Sequence, residues 1–210
     1  MDNRLLLIMR SLRVNQWIKN LVVFTAIIFS GELFNQPVLI ETIGAFFIFC
    51  LLSSTSYVFN DIIDYPNDKK HPIKRFRPIA SGKISIQEAT FTVFILVIIS
   101  LVLALTFSVQ FFLISVLFLA LHVVYSLYLK KHPIIDIFSI SFSFMIRAFA
   151  GVVATGFSIP IWLMFTIFFG SLFVATVKRD AELANFGREA RAALVSYREH
   201  LLGFLTTTFA

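Results

Sequence analysis

From Thr90 to Phe107 the chain reads TFTVFILVIISLVLALTF, eighteen residues without a charge. A helix needs about 20 such residues to cross a hydrocarbon core of about 30 Å. Being apolar on every side, it has no polar face to turn to water, which excludes the surface helix of a soluble protein. The same kind of run recurs along the chain. The expected spans are roughly 18 to 34, 38 to 59, 86 to 106, 109 to 129, 134 to 155 and 160 to 177, and a further apolar run begins near Leu201. Composition agrees: 58% of the 210 residues are hydrophobic and 14% are charged, against roughly 45–50% apolar in soluble domains. The fold class read from this is all-α, a polytopic transmembrane helix bundle. With no long repeat, low-complexity tract or dividing linker, residues 1–210 read as one domain.

The charges sort the connections into two kinds. Residues 60 to 85, 130 to 133 and 178 to 200 are charged, whereas 31 to 37, 106 to 110 and 156 to 160 are short and carry no Lys or Arg. Every basic connection falls on the side of the amino terminus, which the positive-inside rule reads as cytoplasmic. The expected location is the cell's inner (plasma) membrane, with the amino terminus and the charged loops in the cytoplasm. The net charge of +6 is then accounted for by anionic lipid and anionic substrates and requires no nucleic acid. Residues 3 to 14 read as a short amphipathic helix on the membrane surface, with Leu5, Leu6, Ile8, Met9 and Leu12 facing lipid. The basic residues are spread along this stretch and no small-x-small cleavage site follows, so it does not read as a secretory signal. Cys50 is the single cysteine and lies within a span, which leaves no intramolecular disulfide.

The segment NDIIDYPNDKKHPIKRFRPIASG, residues 60 to 82, is the chemically dense part of the chain. On a helix continuing from the second span, Asp61, Asp64 and Asp68 occupy i, i+3 and i+7 and share one face. Carboxylates held this close need solvent, protons or a cation. All-oxygen donors suit a hard ion, and magnesium binds typically through one or two carboxylates and completes its shell with substrate phosphates. Pro66 removes a helix donor and clashes one turn back, so the helix is expected either to kink there or to end and leave Asp68 to the loop. The basic half supplies Lys74, Arg75 and Arg77 for phosphate, arginine as a planar fork that grips two oxygens. An ordinary solvated face and a purely topological basic loop are the bland alternatives.

NDIIDYPND resembles the first aspartate-rich motif of the UbiA superfamily of intramembrane prenyltransferases. HPIKRFRPIASG, with QWIKN at 16 to 20, YSLYLKKHPIID at 125 to 136 and KRDAEL at 178 to 183, is more similar to one branch, the polyprenyl-phosphate (decaprenyl-phosphate) 5-phosphoribosyltransferases of arabinan precursor synthesis. The resemblance runs from about Asn15 to Leu183. It implies a helical bundle with its active site at the cytoplasmic side, and a transferase that moves 5-phosphoribose from phosphoribosyl diphosphate to a polyprenyl phosphate in the lipid bilayer, releasing diphosphate. It implies that Asp61, Asp64 and Asp68 hold Mg2+ against the diphosphate, with Asn60 as a hydrogen-bonding or ligand partner, and that Lys178, Arg179 and Glu182 line the opposite wall. Asp180 stands where this branch is expected to have a basic or neutral residue. Members of the superfamily normally have nine helices, so a chain stopping about ten residues into an apparent seventh span is expected to be a fragment.

Other polar residues carry two readings each. Arg147, in mid-span, is expected to face a cavity or a partner. It would hold a lipid or sugar phosphate, or else pair with Asp136, which lies about 16 Å away along one helix. Lys19 and Asn20, and likewise Tyr125 and Lys130 at the end of the fourth span, read as phosphate contacts or as interfacial anchors. The four histidines form no nucleophile-base pair and read as structural or solvated. Ala148, Ala150, Gly151 and Ala154 read as a close-packing stripe. Two alternatives share the aspartates or dispense with them: an aromatic prenyltransferase that uses a polyprenyl diphosphate donor, and a non-catalytic membrane protein. The extra basic segment discriminates against the first, because an aromatic acceptor needs no second anion site.

Overall fold

The computed structural model describes residues 4–186 together with Thr207; the apolar run near Leu201 lies outside them. Its helices are α1 (Arg4–Leu12), α2 (Thr25–Phe29), α3 (Gln36–Asp68), α4 (Ile86–Phe107), α5 (Val109–Leu127), α6 (Ile135–Thr155) and α7 (Ile161–Phe186). Five of them, α3 to α7, are long and apolar enough to cross a membrane, which makes this an integral membrane protein.

The first expected span takes another form. Val14–Phe24 is a 3₁₀ helix that runs directly into α2, so the segment starts and ends before the 18 to 34 read from hydropathy. A 3₁₀ helix rises about 2.0 Å per residue, so these sixteen residues reach nearly as far as the roughly 30 Å core. The tighter winding also sets which side chains align, because positions i and i+3 eclipse. Trp17, Asn20, Val23 and Ala26 therefore form one row, and the last three are buried. That row faces α3 and α6. Trp17 Nε1 donates to Ser54 Oγ at 3.0 Å, and Val23 lies against Gly151, where a Cβ would overlap the Val23 carbonyl oxygen.

The main apolar core sits between α3, α4, α5 and α6. Phe49 meets Phe111 and Phe118 edge-on at centroid distances of 5.9 and 5.2 Å, the arrangement ring quadrupoles favour, and Ile48, Leu52, Ile114 and Ala150 fill in around them. α7 packs on α6 through Ile137, Leu172 and Ala175. Ser85 and Glu88 form a reciprocal capping box at the start of α4, satisfying two otherwise orphaned donors. A single extended residue, Ser108, links α4 to α5 and caps the latter by accepting from Phe111 N.

α1 exposes Leu6, Ile8 and Met9, as a surface helix should, but Leu12 turns inward against the cluster of Val58, Ile79 and Ala89. The helix α3 passes through Pro66 and ends on Asp68 itself. Two residues from the helix end, the missing proline donor costs one hydrogen bond of the last turn and no more of the ladder.

The Val23 contact gives a direct test. Gly151→Ala should lower stability by about 1–3 kcal/mol, the usual cost of overpacking. Gly170→Ala, where nothing lies within 4 Å, should be neutral or stabilising by roughly 0.5–1 kcal/mol. Thermal unfolding of both variants in detergent, followed by size-exclusion fluorescence, separates the two outcomes.

Candidate functional site

Thirty-three residues of α3 extend about 50 Å at 1.5 Å per residue, well beyond the hydrocarbon thickness. The surplus turns carry Asn60, Asp61, Asp64 and Asp68 at the end of the bundle where the charged connections gather. Asp61 and Asp68 are both buried, and each has a cation. Arg13 donates to Asp61 Oδ1 at 2.5 Å. Arg77 Nη1 reaches Asp61 Oδ1 at 3.2 Å and Asp68 Oδ2 at 2.5 Å. Asp64 turns to a different neighbour: Lys130 Nζ donates to its Oδ1 at 2.6 Å and to Asn60 Oδ1 at 3.1 Å, while Asn60 Nδ2 donates to Asp64 Oδ2 at 2.9 Å. Charge-assisted bonds of this length are the strong ones.

The aspartates thus divide into a pair and a singleton. Among the described residues no three His, Cys, Asp or Glu side chains are grouped so as to hold a metal. Asp61 and Asp68 nevertheless converge on one cationic nitrogen, Arg77 Nη1. Two carboxylates around one cation position, with only oxygen donors, fit magnesium, which takes one or two carboxylates and the rest of its ligands from phosphate and water.

Arg13 is the residue that sequence reasoning missed. A basic residue before the first span reads as topology, and nothing in its spacing marks it. In the structure it adopts a left-handed conformation, φ 50°, uncommon for a residue with a Cβ and frequent where function holds the backbone. Its guanidinium lies 5.1 Å from the Tyr57 ring centroid. Of the basic loop residues, Arg77 joins the carboxylates, whereas Lys74 and Arg75 sit on a short 3₁₀ turn (Lys74–Phe76) at the rim, with Arg75 stacked on Phe76. His71 Nδ1 accepts from the backbone N–H groups of Ile73 and Lys74. Desolvation, and next the Lys74 charge, lower its pKa, in keeping with the neutral ring that accepting requires.

A second group of cations is reached through Arg13. Lys19 is half-buried within electrostatic reach of Lys178, Arg147 and Arg13. Arg147 is buried in the bundle, bonded through Nε to Asn20 Oδ1 at 2.7 Å and through Nη1 to the Ser143 carbonyl at 2.9 Å and to Ser143 Oγ. Phe118 and Phe144 flank it at 4.8 and 5.2 Å. These partners are neutral, so its positive charge is retained inside the bundle. His122 bonds Ser143 Oγ at 3.2 Å and lies on the Phe118 ring.

Asp136 is not the partner of Arg147. It accepts from Arg179 Nε at 2.7 Å, and Arg179 Nη1 donates to Glu182 at 2.8 Å. Asp136 and Arg179 are both buried, joining the first turn of α6 to the end of α7. Tyr125 is half-buried within electrostatic reach of Arg179. Lys178 and Asp180 are exposed on either side of it.

Removing one member of a buried pair strands the other charge, at about 3–5 kcal/mol. Asp136→Ala leaves Arg179 bonded to Glu182 and should lose stability toward the lower end of that range, while Asp136→Leu combined with Arg179→Met should recover part of it; thermal unfolding of the single and double variants reads the difference.

The comparisons with known proteins bear on this geometry. The model of the UbiA prenyltransferase family matches residues 21–195. The chain is 37% identical over 208 residues to a protein of Corynebacterium glutamicum named decaprenyl-phosphate phosphoribosyltransferase, covering 96% of this chain and 63% of that one. It is 36% identical over 210 residues to the protein of the same name from Mycolicibacterium smegmatis, covering 97% and 66%. The chain therefore spans about two thirds of the length of these relatives. Among solved structures, a UbiA homolog from Archaeoglobus fulgidus bound to DMAPP and Mg2+ superposes with a TM-score of 0.73 at 18% identity, over 96% of this chain and 84% of that one. The likeness extends over the whole described bundle, and the chain belongs to the UbiA prenyltransferase family.

Proposed function

We propose that the protein transfers 5-phosphoribose from phosphoribosyl diphosphate to a membrane polyprenyl phosphate and releases diphosphate, as a step toward arabinan-type cell-envelope precursors. The observation that carries this reading is the second cationic group. The acidic turns with Arg77 suit a metal-bound diphosphate, and Arg13, which meets Asp61, links them to Lys19, itself within electrostatic reach of Arg13, Arg147 and Lys178. A donor with its own 5-phosphate and an acceptor that is itself a phosphate bring two anions besides the diphosphate. An aromatic acceptor brings none. The names of the two relatives support the same reaction.

In this reading the bond from the sugar C1 to a diphosphate oxygen breaks, and an oxygen of the lipid phosphate forms the new bond to C1. Negative charge grows on the leaving diphosphate and positive charge on the sugar ring. Asp61 and Asp68 would hold magnesium, with Asp64 and Asn60 beside them, and the bound ion would neutralise the leaving group, as metal ions do in phosphoryl chemistry. The acceptor is already an anion, so no general base is needed. Arg77 and Arg13, which meet carboxylates in the structure, turn to phosphate oxygens when the donor arrives. Lys74, Arg75, Tyr125, Lys130, Arg179 and Glu182 complete the walls. Preorganised charges of this kind contribute the largest single term in many enzymes. The charged end of the bundle faces the cytoplasm of the plasma membrane, where a water-soluble sugar diphosphate enters.

The test is transfer of radiolabel from phosphoribosyl diphosphate to polyprenyl phosphate in membranes containing the chain extended to the length of its relatives. Labelling should require magnesium and fall about 10²–10³-fold in Asp61→Asn, the scale for losing a main electrostatic group. Lys19→Gln should raise the KM for the lipid phosphate more than that for the sugar donor. Prenylation of an aromatic acceptor without lipid labelling would overturn the assignment.

A further inference from the structure

A cavity of about 230 Å3 lies under α1, and none of Asp61, Asp64 and Asp68 lines it. On one side are Arg4, Ile8 and Ser11, which are i, i+4 and i+7 of α1 and so share a face. On the other are Glu88, Phe91 and Thr92 of the first turns of α4, with Val58 of α3 between. The lining is largely hydrophobic. Ser11 breaks that pattern: it is 6% exposed, and its Oγ is the one buried side-chain oxygen or nitrogen among the described residues without a hydrogen-bond partner. A buried hydroxyl left unmatched is unfavourable and calls for an explanation.

The rim adds a charge. Arg4 pairs with Glu88, and the two side chains are 71% and 44% exposed. Glu88 does not depend on that pair, because its Oε2 also accepts from the Ser85 backbone N–H and hydroxyl in the capping box, at the favourable end of the α4 dipole. Arg4 can therefore leave Glu88 for another anion without stranding it. The neighbouring face of α1 exposes Leu6 and Met9 and carries Arg10, the mark of a helix lying in the headgroup layer.

We propose that this cavity is a binding site for an anionic glycerophospholipid. One end of an acyl chain fills the space beside Ile8, Val58 and Phe91, an ester oxygen accepts from the Ser11 hydroxyl after rotation about χ1, and the phosphate takes Arg4. At about 30 Å3 per water-sized group, the volume admits on the order of eight non-hydrogen atoms, a chain end and not a long polyprenyl tail. Ser11 is two residues from Arg13, and the Leu12 carbonyl accepts from Ser54 Oγ. An occupied site thus fixes the stretch of backbone that holds Arg13 against Asp61. This site is separate from the transfer reaction proposed above and is tested without it.

The experiment places the full chain in nanodiscs with phosphatidylglycerol bearing a photoactivatable group on its acyl chain, or with the matching phosphatidylcholine, and maps crosslinks by peptide mass spectrometry. Crosslinks from phosphatidylglycerol should concentrate on residues 4–12 and 88–92, at roughly fivefold the level from phosphatidylcholine, the preference that one basic residue at an anionic surface gives. Thr92→Trp, which fills the cavity, should remove them while labelling of the exposed Ile98 and Leu103 persists. Arg4→Gln, a change at an exposed side chain with no bearing on packing, should abolish the preference between the two lipids. Equal labelling by both lipids that Arg4→Gln does not alter would overturn the proposal and leave general bilayer contact. Displacement of the phosphatidylglycerol crosslinks by equimolar polyprenyl phosphate would overturn it in favour of a substrate-lipid site.

Discussion

Inside a bilayer a polar group must find its partner within the protein, since no water is available to replace one. Among the described residues, the buried cation Arg147 meets that demand with neutral partners alone. Arg147 is surrounded by Asn20, Ser143, Ser53 and two aromatic faces, so one guanidinium ties the 3₁₀ segment, α3 and α6 together. Asn20 is the hinge of the arrangement, accepting from Arg147 and Ser53 and donating to the Cys50 sulfur. The close passage of Val23 over Gly151 brings the backbones near enough for these short side chains to meet. Small residues and polar contacts together hold membrane helices where hydrophobic burial offers no net gain.

The same segment leads outward to the acidic turns. Arg13 ends α1, starts the 3₁₀ helix and meets Asp61, so the row that packs in the membrane and the charge that meets the carboxylate belong to one stretch of backbone. Lys130 and Arg77 approach from two other connections. Each carboxylate is matched by a cation from a different part of the chain, which keeps three negative charges close together on one helix without strong mutual repulsion. A site built this way is balanced at rest. Its cations reach it from separate connections, so each can change partner without moving the helix that carries the carboxylates.

Long apolar runs made the bundle legible in the sequence, and helical spacing set the three aspartates on the end of one helix, where Asp61 and Asp68 share Arg77 and Asp64 turns to Lys130. The first segment escaped because its period is three: Trp17, Asn20 and Val23 look scattered at 3.6 residues per turn and line up only when the helix winds tighter. Arg13 escaped because a basic residue beside a span is what topology already explains. The Asp136–Arg179 pair joins residues 43 apart in sequence, and no local pattern announces such a contact. Pro66 left two readings open, a kink or an end, and a proline close to a helix end costs little, so the helix runs on to Asp68.

The one-residue link at Ser108 makes α4 and α5 a closed hairpin. α4 and α5 are separated by less than one turn, and Phe107 and Phe111 stack across the corner at 4.9 Å. No polar loop has to be carried through the lipid before the second helix begins. The two arms thus turn back at that end of the bundle without a loop between them, and α3 packs along both.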